Sequence, residues 1–264
     1  METVLITGAS SGIGLELAKC FAADGSRLVL VARNATALQA LADELRRQNG
    51  VQVIVLPSDL AQPQTPVNLF QQLSDQRVTV DVLVNNAGFG AFGLFHDLPS
   101  ARQLGMIQVN IRALVELTRL FLPEMLRRRT GGVLNVASVA AFVPGPGMAV
   151  YYATKAFVLS FTEALAVELA GSGLKTVALC PGPTPTNFGA VAGMDAAHLV
   201  RVPPTSAQKV AQDGHRAWRA ASTVCVSGIQ NKLLVALIRL APRTVVRRMV
   251  GKFNGFADFK KTTN

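Results

Sequence analysis

Cysteine, histidine and long apolar runs are all scarce in this sequence. The three cysteines, Cys20, Cys180 and Cys225, are widely spaced and include no CxxC pair, which excludes a disulfide framework and favours a reducing compartment. The three histidines lack the spacing of metal ligands, so we expect no metal site. No apolar run reaches the roughly 18 residues of a membrane-spanning helix, and no basic leader precedes the first strand. We therefore expect a cytoplasmic protein.

Negative charge is scarce in the last quarter of the chain. Residues 1–200 hold 14 Lys/Arg and 14 Asp/Glu, which cancel. Residues 201–264 hold 12 Lys/Arg and 2 Asp/Glu, so this last part of the chain carries the whole net charge of +10. This balance predicts a neutral main body followed by a basic appendage. Aromatic residues, which nucleic-acid sites use for base stacking, are sparse in that appendage, so we expect no nucleic-acid partner.

Short apolar runs alternate with longer helical patterns over the first 185 or so residues. Continuous apolar runs are typical of strands covered on both faces, and their alternation with helices indicates a doubly wound parallel sheet. The predicted strands span residues 3–7, 27–32, 51–57, 80–85, 132–137 and 175–180, and the predicted helices 14–24, 35–48, 67–76, 104–128 and 150–170. We assign residues 1–228 to one α/β catalytic domain with a substrate loop at 187–215, and residues 229–264 to a basic helical extension.

A glycine-rich turn joins the first strand to the first helix. Gly8 suits the tight turn, Gly12 the close approach of backbone to a pyrophosphate, and Gly14 the packing of helix on strand. The start of the helix presents free N–H groups to phosphates. A plain strand-to-helix turn is the alternative. The expected cofactor contacts here are Gly8, Ser10, Ser11, Gly12, Ile13 and Gly14.

Arg33 stands at the end of the second strand, where NAD-binding proteins usually carry a carboxylate for the ribose 2′-hydroxyl. A guanidinium suits a 2′-phosphate by its charge and planar donor fork. Arg33 therefore favours NADP(H) over NAD(H), unless it is an ordinary surface arginine.

Polar residues also follow the third and fourth strands. Asp59 can accept a hydrogen bond from an adenine amino group or cap a local turn, and Leu60 follows it. After the fourth strand, Asn86, Ala87 and Gly88 combine an amide with two small residues, which suits a strand end lying against a cofactor.

Tyr151 and Lys155 lie one helical turn apart and share a helix face. A free phenol has a pKa near 10, and a neighbouring ammonium would lower that value and prepare Tyr151 for proton transfer. Tyr152 lies off that face. Ser138 follows the fifth strand, where open sheets place their ligands. Asn110 sits inside a helical pattern that it does not favour, so it is either exposed or serves a local purpose.

Together, these motifs resemble the short-chain dehydrogenase/reductase family over about residues 3–187. The motifs are the glycine turn, residues 85–88, Asn110, Ser138, Tyr151 and Lys155, followed by Pro181, Gly182, Thr184 and Thr186. Thr184 departs from the family, which commonly has an apolar residue there.

The resemblance implies a three-layer Rossmann fold, an NADP(H)-preferring branch and a Ser–Tyr–Lys–Asn tetrad. It makes Tyr151 the proton donor, Ser138 the partner of the substrate oxygen, and Lys155 the holder of the ribose hydroxyls. Asn110 supports a water that links Lys155 to solvent, and Thr186 holds the nicotinamide amide. A homodimer or homotetramer is also implied.

The candidate substrate contacts are apolar, and no Arg or Lys stands among them. We expect a small hydrophobic ketone, aldehyde or alcohol, although each phenylalanine could instead belong to the core. The candidates are Phe89, Phe92, Phe95, Phe142, Met148 and Phe188. A catalytically silent cofactor-binding protein is the rival reading, and the intact tetrad argues against it.

Residues 230–241 and 243–253 form two amphipathic basic patterns separated by Pro242. Their apolar faces could pack on the enzyme body or on a second subunit. Alternatively, residues 230–264 could bind an anionic membrane surface and associate the protein with it peripherally.

Overall fold

The computed structural model describes residues 1–194 and 204–255. Its strands are β1 (Thr3–Thr7), β2 (Arg27–Ala32), β3 (Val53–Pro57), β4 (Val82–Asn85), β5 (Gly132–Val136), β6 (Lys175–Cys180) and β7 (Val224–Val226). Its helices are α1 (Gly12–Ala23), α2 (Ala35–Asn49), α3 (Thr65–Asp75), α4 (Ser100–Ile107), α5 (Leu114–Arg128), α6 (Ala149–Glu168), α7 (Phe188–Ala192), α8 (Ala207–Arg219), α9 (Ile229–Leu240) and α10 (Arg243–Phe253).

The seven strands form one parallel sheet in the order β3-β2-β1-β4-β5-β6-β7. Alternate residues of each strand face opposite layers: Val4 and Ile6 pack with α1, α2 and α8, whereas Leu5 packs with α3 and α5. Helices on both faces explain why the strands are apolar throughout. The predicted doubly wound, Rossmann-type fold is confirmed.

The sheet order reverses between β1 and β4, because the chain leaves β3 at one edge and crosses back to the middle. Ligands of open α/β sheets bind outside the carboxyl ends of the strands at such a reversal. The fold therefore predicts a site above the ends of β1, β4 and β5.

Helix α8 and strand β7 differ from the sequence prediction. The substrate loop expected at 187–215 contains α7 and the start of α8, and residues 195–203 of it lie outside the described part of the chain. The apolar face of α8 consists largely of alanine and glycine beside Val210 and Trp218, in a segment that is otherwise polar. Helix α8 nevertheless buries Trp218 completely.

The helix predicted at 104–128 is also divided. Helix α4 ends at Ile107, a π-helical segment spans Gln108–Ala113, and α5 follows. π-Helical turns within α-helices are frequent at functional sites, and this one carries the buried Asn110.

The two C-terminal helices are broken at Pro242, as predicted. Helix α9 contacts the segment after β5, and α10 returns towards the loop before α6. Among the residues that the structure describes, no helix is both long and apolar enough to cross a bilayer.

Candidate active site

The glycine turn holds α1 directly above the end of β1. Gly8 and Gly12 have positive φ angles of 66° and 56°, which residues with a Cβ rarely adopt. Ser11 precedes α1 without capping it, and no acidic residue lies in the first turn. The first N–H groups of α1 therefore remain available to an anion, together with the positive end of the helix dipole.

Asn86 connects this turn to the end of β4. Its Nδ2 donates to the carbonyl oxygens of Thr7 and Gly8, at 2.9 and 3.1 Å. The backbone N–H groups of Asn86 and Ala87 both donate to Thr7 Oγ1 at 3.0 Å. A Cβ on Gly14 would collide with the Asn86 amide. Asn86 and Gly14 thus fix the shape of the turn.

A continuous cleft of about 860 Å³ runs across the carboxyl ends of the strands. Eighteen of the sequence-predicted site residues line it: Gly8, Ser10, Ser11, Gly12, Ile13, Arg33, Asp59, Leu60, Asn86, Ala87, Gly88, Ser138, Tyr151, Lys155, Pro181, Gly182, Thr184 and Thr186. Gly14 and Asn110 lie behind its wall.

Arg33 and Asp59 lie at the β2–β3 end of the cleft. Arg33 is exposed and, among the described residues, forms no ion pair, so its guanidinium is available to a bound anion. Asp59 Oδ1 accepts from the N–H of Ala61 at 3.0 Å. The local turn anticipated for Asp59 is therefore present, and the residue also lines the cleft.

Ser138, Tyr151 and Lys155 meet at the end of β5. Tyr151 hydrogen-bonds Ser138. Lys155 Nζ donates to the carbonyl oxygen of Val136 at 2.7 Å and lies 5.9 Å from the centre of the Tyr151 ring. Lys155 is only 6% exposed. Its burial lowers the pKa of the ammonium to about 8.

The pKa of Tyr151 is opposite to the sequence expectation. Burial raises it above the usual value, and the hydrogen bond with Ser138 only partly opposes that effect. Lys155 Nζ lies 5.9 Å from the ring centre, and burial favours its uncharged form, which weakens its ability to stabilise a phenolate. The Tyr151 side chain is therefore a neutral phenol at pH 7, which is the form that donates a proton.

Asn110 is 1% exposed, and its side chain hydrogen-bonds two separate segments of the chain. Its Oδ1 accepts from the N–H of Phe89 at 3.1 Å, while its Nδ2 donates to Phe89 O and Thr154 Oγ1, each at 3.0 Å. Both amide hydrogens are engaged, so a water could contact this residue only through the remaining Oδ1 lone pair or the backbone. Asn110 anchors the loop after β4 to α6.

The loop after β6 is supported from behind by the C-terminal part of the chain. The Thr186 side chain lies against Gly12, where an added Cβ would come within 2.9 Å of the methyl group. A Cβ on Gly182 would collide with the amide of Asn231 in α9, and Asn231 in turn donates to Ser227 O at 2.7 Å. One side of helix α9 therefore packs on the enzyme body, which was one of its expected arrangements, and helps to position the cleft wall.

Three of the six predicted substrate contacts line the cleft: Phe89, Met148 and Phe188. Phe188 packs 5.0 Å from the Tyr151 ring. The other three lie elsewhere. Phe95 is 66% exposed, Phe142 belongs to the cluster between α5 and α6, and Phe92 packs behind the wall.

Arg102 in α4 also lines the cleft, beside the candidate substrate contacts, among which no Arg or Lys was expected. It donates to the carbonyl oxygens of Gly90 and Val191 and lies 5.6 Å above the ring of Phe89. These contacts join α4 to α7 across the cleft. From the sequence alone, an arginine on a short helix is interpreted as a surface residue. Only the tertiary fold brings Arg102 to the cleft.

Phe253 and Asn254, at the end of α10, complete the cleft near Tyr152. Asn254 Nδ2 donates to Pro146 O at 2.8 Å, and Asn254 also hydrogen-bonds Tyr152. Sequence reasoning missed both residues, because more than a hundred positions separate Asn254 from its partner Pro146.

A family model described as short chain dehydrogenase matches residues 2–195. A short chain dehydrogenase of Pseudocercospora fijiensis is 36% identical over 191 residues, which cover 72% of this chain and 62% of that relative, so the chain spans less than two thirds of its length. The structure of a short-chain dehydrogenase from Sphingobium yanoikuyae in complex with NADPH is 34% identical, with a TM-score of 0.81 over 91% of this chain and 95% of the other.

A bulky-bulky ketone specific alcohol dehydrogenase from Comamonas testosteroni is 27% identical, with a TM-score of 0.77 over 91% of this chain and 92% of the other. The matched residues include the glycine turn and the Ser138, Tyr151 and Lys155 cluster. The chain belongs to the short-chain dehydrogenase/reductase family of NAD(P)-dependent oxidoreductases.

Proposed function

We propose that this protein is an NADP(H)-dependent oxidoreductase that interconverts a hydrophobic ketone or aldehyde and its alcohol, with Tyr151 as the acid/base. The observation that carries the proposal is one continuous cleft that holds Ser138, Tyr151 and Lys155 at one end, and the free start of α1 with Arg33 at the other. A dinucleotide laid along it would supply the hydride.

The chain fits a 2′-phosphorylated dinucleotide. The N–H groups at the start of α1 would hold the pyrophosphate. Arg33 is an unpaired cation at the end of β2, where no carboxylate stands to accept from a 2′-hydroxyl. This charge supports NADP(H) over NAD(H).

Tyr151 would donate its phenolic proton to the carbonyl oxygen of a ketone during reduction and take it back during oxidation. Ser138 would hydrogen-bond the same oxygen and hold it beside the phenol. Lys155, fixed by Val136, would direct its remaining N–H groups towards the ribose hydroxyls. Asn110 would act as a positioning residue through Phe89 and Thr154.

The substrate end of the cleft is apolar. A Cβ on Gly90 would come within 2.7 Å of Phe188 and 3.0 Å of Met148, so both side chains pack directly against Gly90. The Arg102 guanidinium donates through Nη2 to two backbone carbonyl groups, which hold it against this wall. A hydrophobic carbonyl or alcohol fits this wall. The three free cysteines support the further proposal of a reducing, cytoplasmic location.

A substrate panel tests this function. NADPH oxidation would be followed with bulky aliphatic and aromatic ketones, with short polar ketones, and with keto acids that could use Arg102. We expect the bulky apolar ketones to give the highest kcat/KM. A preference for keto acids would contradict the apolar assignment. Tight NADPH binding without turnover of any carbonyl compound would favour a catalytically silent cofactor-binding protein.

A further inference from the structure

Helix α9 presents its apolar face to solvent. Its buried side consists of Asn231 and Val235. The opposite side carries a stripe at helical spacing, with relative exposures of 69%, 60%, 67% and 85% for Ile229, Leu233, Leu237 and Leu240. A surface helix normally turns such a stripe towards the core, so packing on the enzyme body does not account for these side chains.

Helix α10 repeats the arrangement. Val246 and Gly251 face the protein, whereas Val245 and Met249 are 47% and 60% exposed. We call the exposed side chains of residues 229–252 the C-terminal face. Its apolar part is Ile229, Leu233, Leu237, Leu240, Val245 and Met249.

Only positive charge accompanies this apolar surface. Residues 229–255 contain six Lys/Arg and no Asp/Glu. These cations are Lys232, Arg239, Arg243, Arg247, Arg248 and Lys252, and none of them forms an ion pair within residues 1–194 and 204–255. Arg239 stacks on Phe142 at 5.4 Å, and the other five side chains are left for a partner.

We propose that the C-terminal face docks on an anionic lipid bilayer. Aliphatic side chains flanked by Lys and Arg are suited to the boundary between acyl chains and anionic headgroups. A second copy of this chain is a poorer partner, because a two-fold interface would bring the same cations against each other. A nucleic acid would use the cations but leave the exposed leucines without a partner.

Docking would place the cleft at the membrane. Asn254, immediately after α10, is bonded to Pro146 O and Tyr152, and Asn231 of α9 lies against Gly182. The face and the two cleft walls are therefore held as one structure. Docking on the bilayer does not depend on the function proposed above. Entry of an apolar substrate from the lipid does rest on it.

Vesicle co-sedimentation of the full chain tests this proposal. Vesicles of phosphatidylcholine alone would be compared with vesicles of phosphatidylcholine and phosphatidylglycerol in equal amounts. We expect binding only with phosphatidylglycerol and weaker binding as salt is raised. Each basic side chain near an anionic surface strengthens binding about fivefold, so Arg247→Gln with Arg248→Gln should weaken it roughly 30-fold. Leu233→Gln with Leu237→Gln should weaken it by roughly tenfold for each leucine.

Matched controls lie at the opposite edge of the sheet. Arg47→Gln with Arg77→Gln removes the same charge from exposed positions near α2 and α3, and Val67→Gln removes an exposed apolar side chain of α3. Both should bind vesicles like the wild type, and every variant should retain wild-type NADPH affinity. Absence of sedimentation at low salt would overturn the proposal, as would equal loss in the controls. Light scattering of the Leu233→Gln, Leu237→Gln variant tests the alternative partner. If this variant has a smaller mass than the wild type, and the wild type does not bind vesicles, the C-terminal face contacts a second copy of the chain instead.

Discussion

Lys155 donates a 2.7 Å hydrogen bond to the backbone carbonyl of Val136, at the carboxyl end of β5. This bond replaces only part of the water that a free ammonium would have, so burial favours the neutral amine and lowers the pKa of Lys155 to about 8. The same bond directs the Lys155 side chain into the cleft. Lys155 should therefore affect both the stability of the fold and catalysis.

The effect of Lys155 on the fold is a dependence of the free energy of unfolding on pH. The folded pKa of Lys155 lies below the unfolded value of about 10.4, so between these values the unfolded chain binds more protons and stability rises with pH. Between pH 8 and pH 10, the free energy of unfolding of the wild type should rise by about 2 kcal/mol relative to Lys155→Met. Urea unfolding of both proteins measures this difference.

The comparison with Lys155→Met is needed because other groups titrate in this range. Burial is the largest cause that raises the pKa of Cys180 and of Tyr151, so both groups make the fold less stable as pH rises. Burial acts in both proteins, and the comparison therefore removes most of this contribution. An unchanged difference between the two proteins across this range would show that Lys155 is not desolvated as the structure indicates.

Tyr151→Phe should lower kcat by a factor of about 100 or more, because it removes the proton donor and leaves the ring packed on Phe188. Tyr152→Phe, which loses a hydrogen bond to Asn254 but no reacting proton, should lose far less. Steady-state kinetics on the best ketone of the panel, with thermal unfolding as the check on folding, decides the matter. Near wild-type turnover by Tyr151→Phe would refute the acid/base assignment.

The raised pKa of Tyr151 also gives a direction to the pH–rate profile. Reduction uses the neutral phenol, so its rate should stay constant from neutral pH upward until the phenol ionises. Oxidation needs a proton acceptor, so its rate should rise with pH over the same range. Initial rates in both directions at matched ionic strength test this, and identical profiles in the two directions would contradict it.

Arg33 should make NADP(H) bind more tightly than NAD(H) by roughly 1.5–3 kcal/mol, or about 10- to 150-fold in Kd. Arg33→Ser should remove this preference, and Arg33→Asp should reverse or erase it. Arg47→Ser, on the exposed side of α2, is the matched control. Fluorescence titration with NADPH and NADH gives the four pairs of constants. Equal wild-type affinity for both cofactors would refute the proposed role.

Helices α4 and α6 carry exposed apolar residues that fit the proposed homodimer or homotetramer: Leu104, Ile107, Phe157 and Val167. Val167 is 77% exposed, so Val167→Glu should leave the fold intact and shift the protein to smaller species. Val67→Glu, on α3, is the control. Light scattering at micromolar concentration measures the masses. A wild type that is purely monomeric would contradict this proposal.

The cofactor half of the site was predictable because its signals are local. The glycine turn lies within eight consecutive residues, and Tyr151 and Lys155 lie within one helical turn, so spacing alone places each group. The sheet followed from the continuous apolar strands. Arg102 and Asn254 had no such signal, because each reaches the cleft only through contacts with segments distant in the chain.

Helix α8 was missed for a different reason. Its buried positions are mostly small, since Ala211, Gly214 and Ala217 allow close packing on neighbours such as Leu179. These small residues do recur at helical spacing, but few of them are strongly apolar and the segment is otherwise polar, so it resembled a loop. The π-helical segment around Asn110 escaped because it interrupts the helix without proline or glycine.

The packing of α8 on α1 has a consequence for how the protein is made. Asp24, just after α1, pairs with His215 of α8 across 191 residues at 2.8 Å, and Phe21 meets His215 edge to face. During synthesis α1 leaves the ribosome well before α8, which covers it and follows only after β2 to β6 and the helices between them. The helix that begins at the cleft is therefore synthesised long before its packing is complete. Trp218, the sole tryptophan, lies buried in this junction and reports by its fluorescence when the junction has closed.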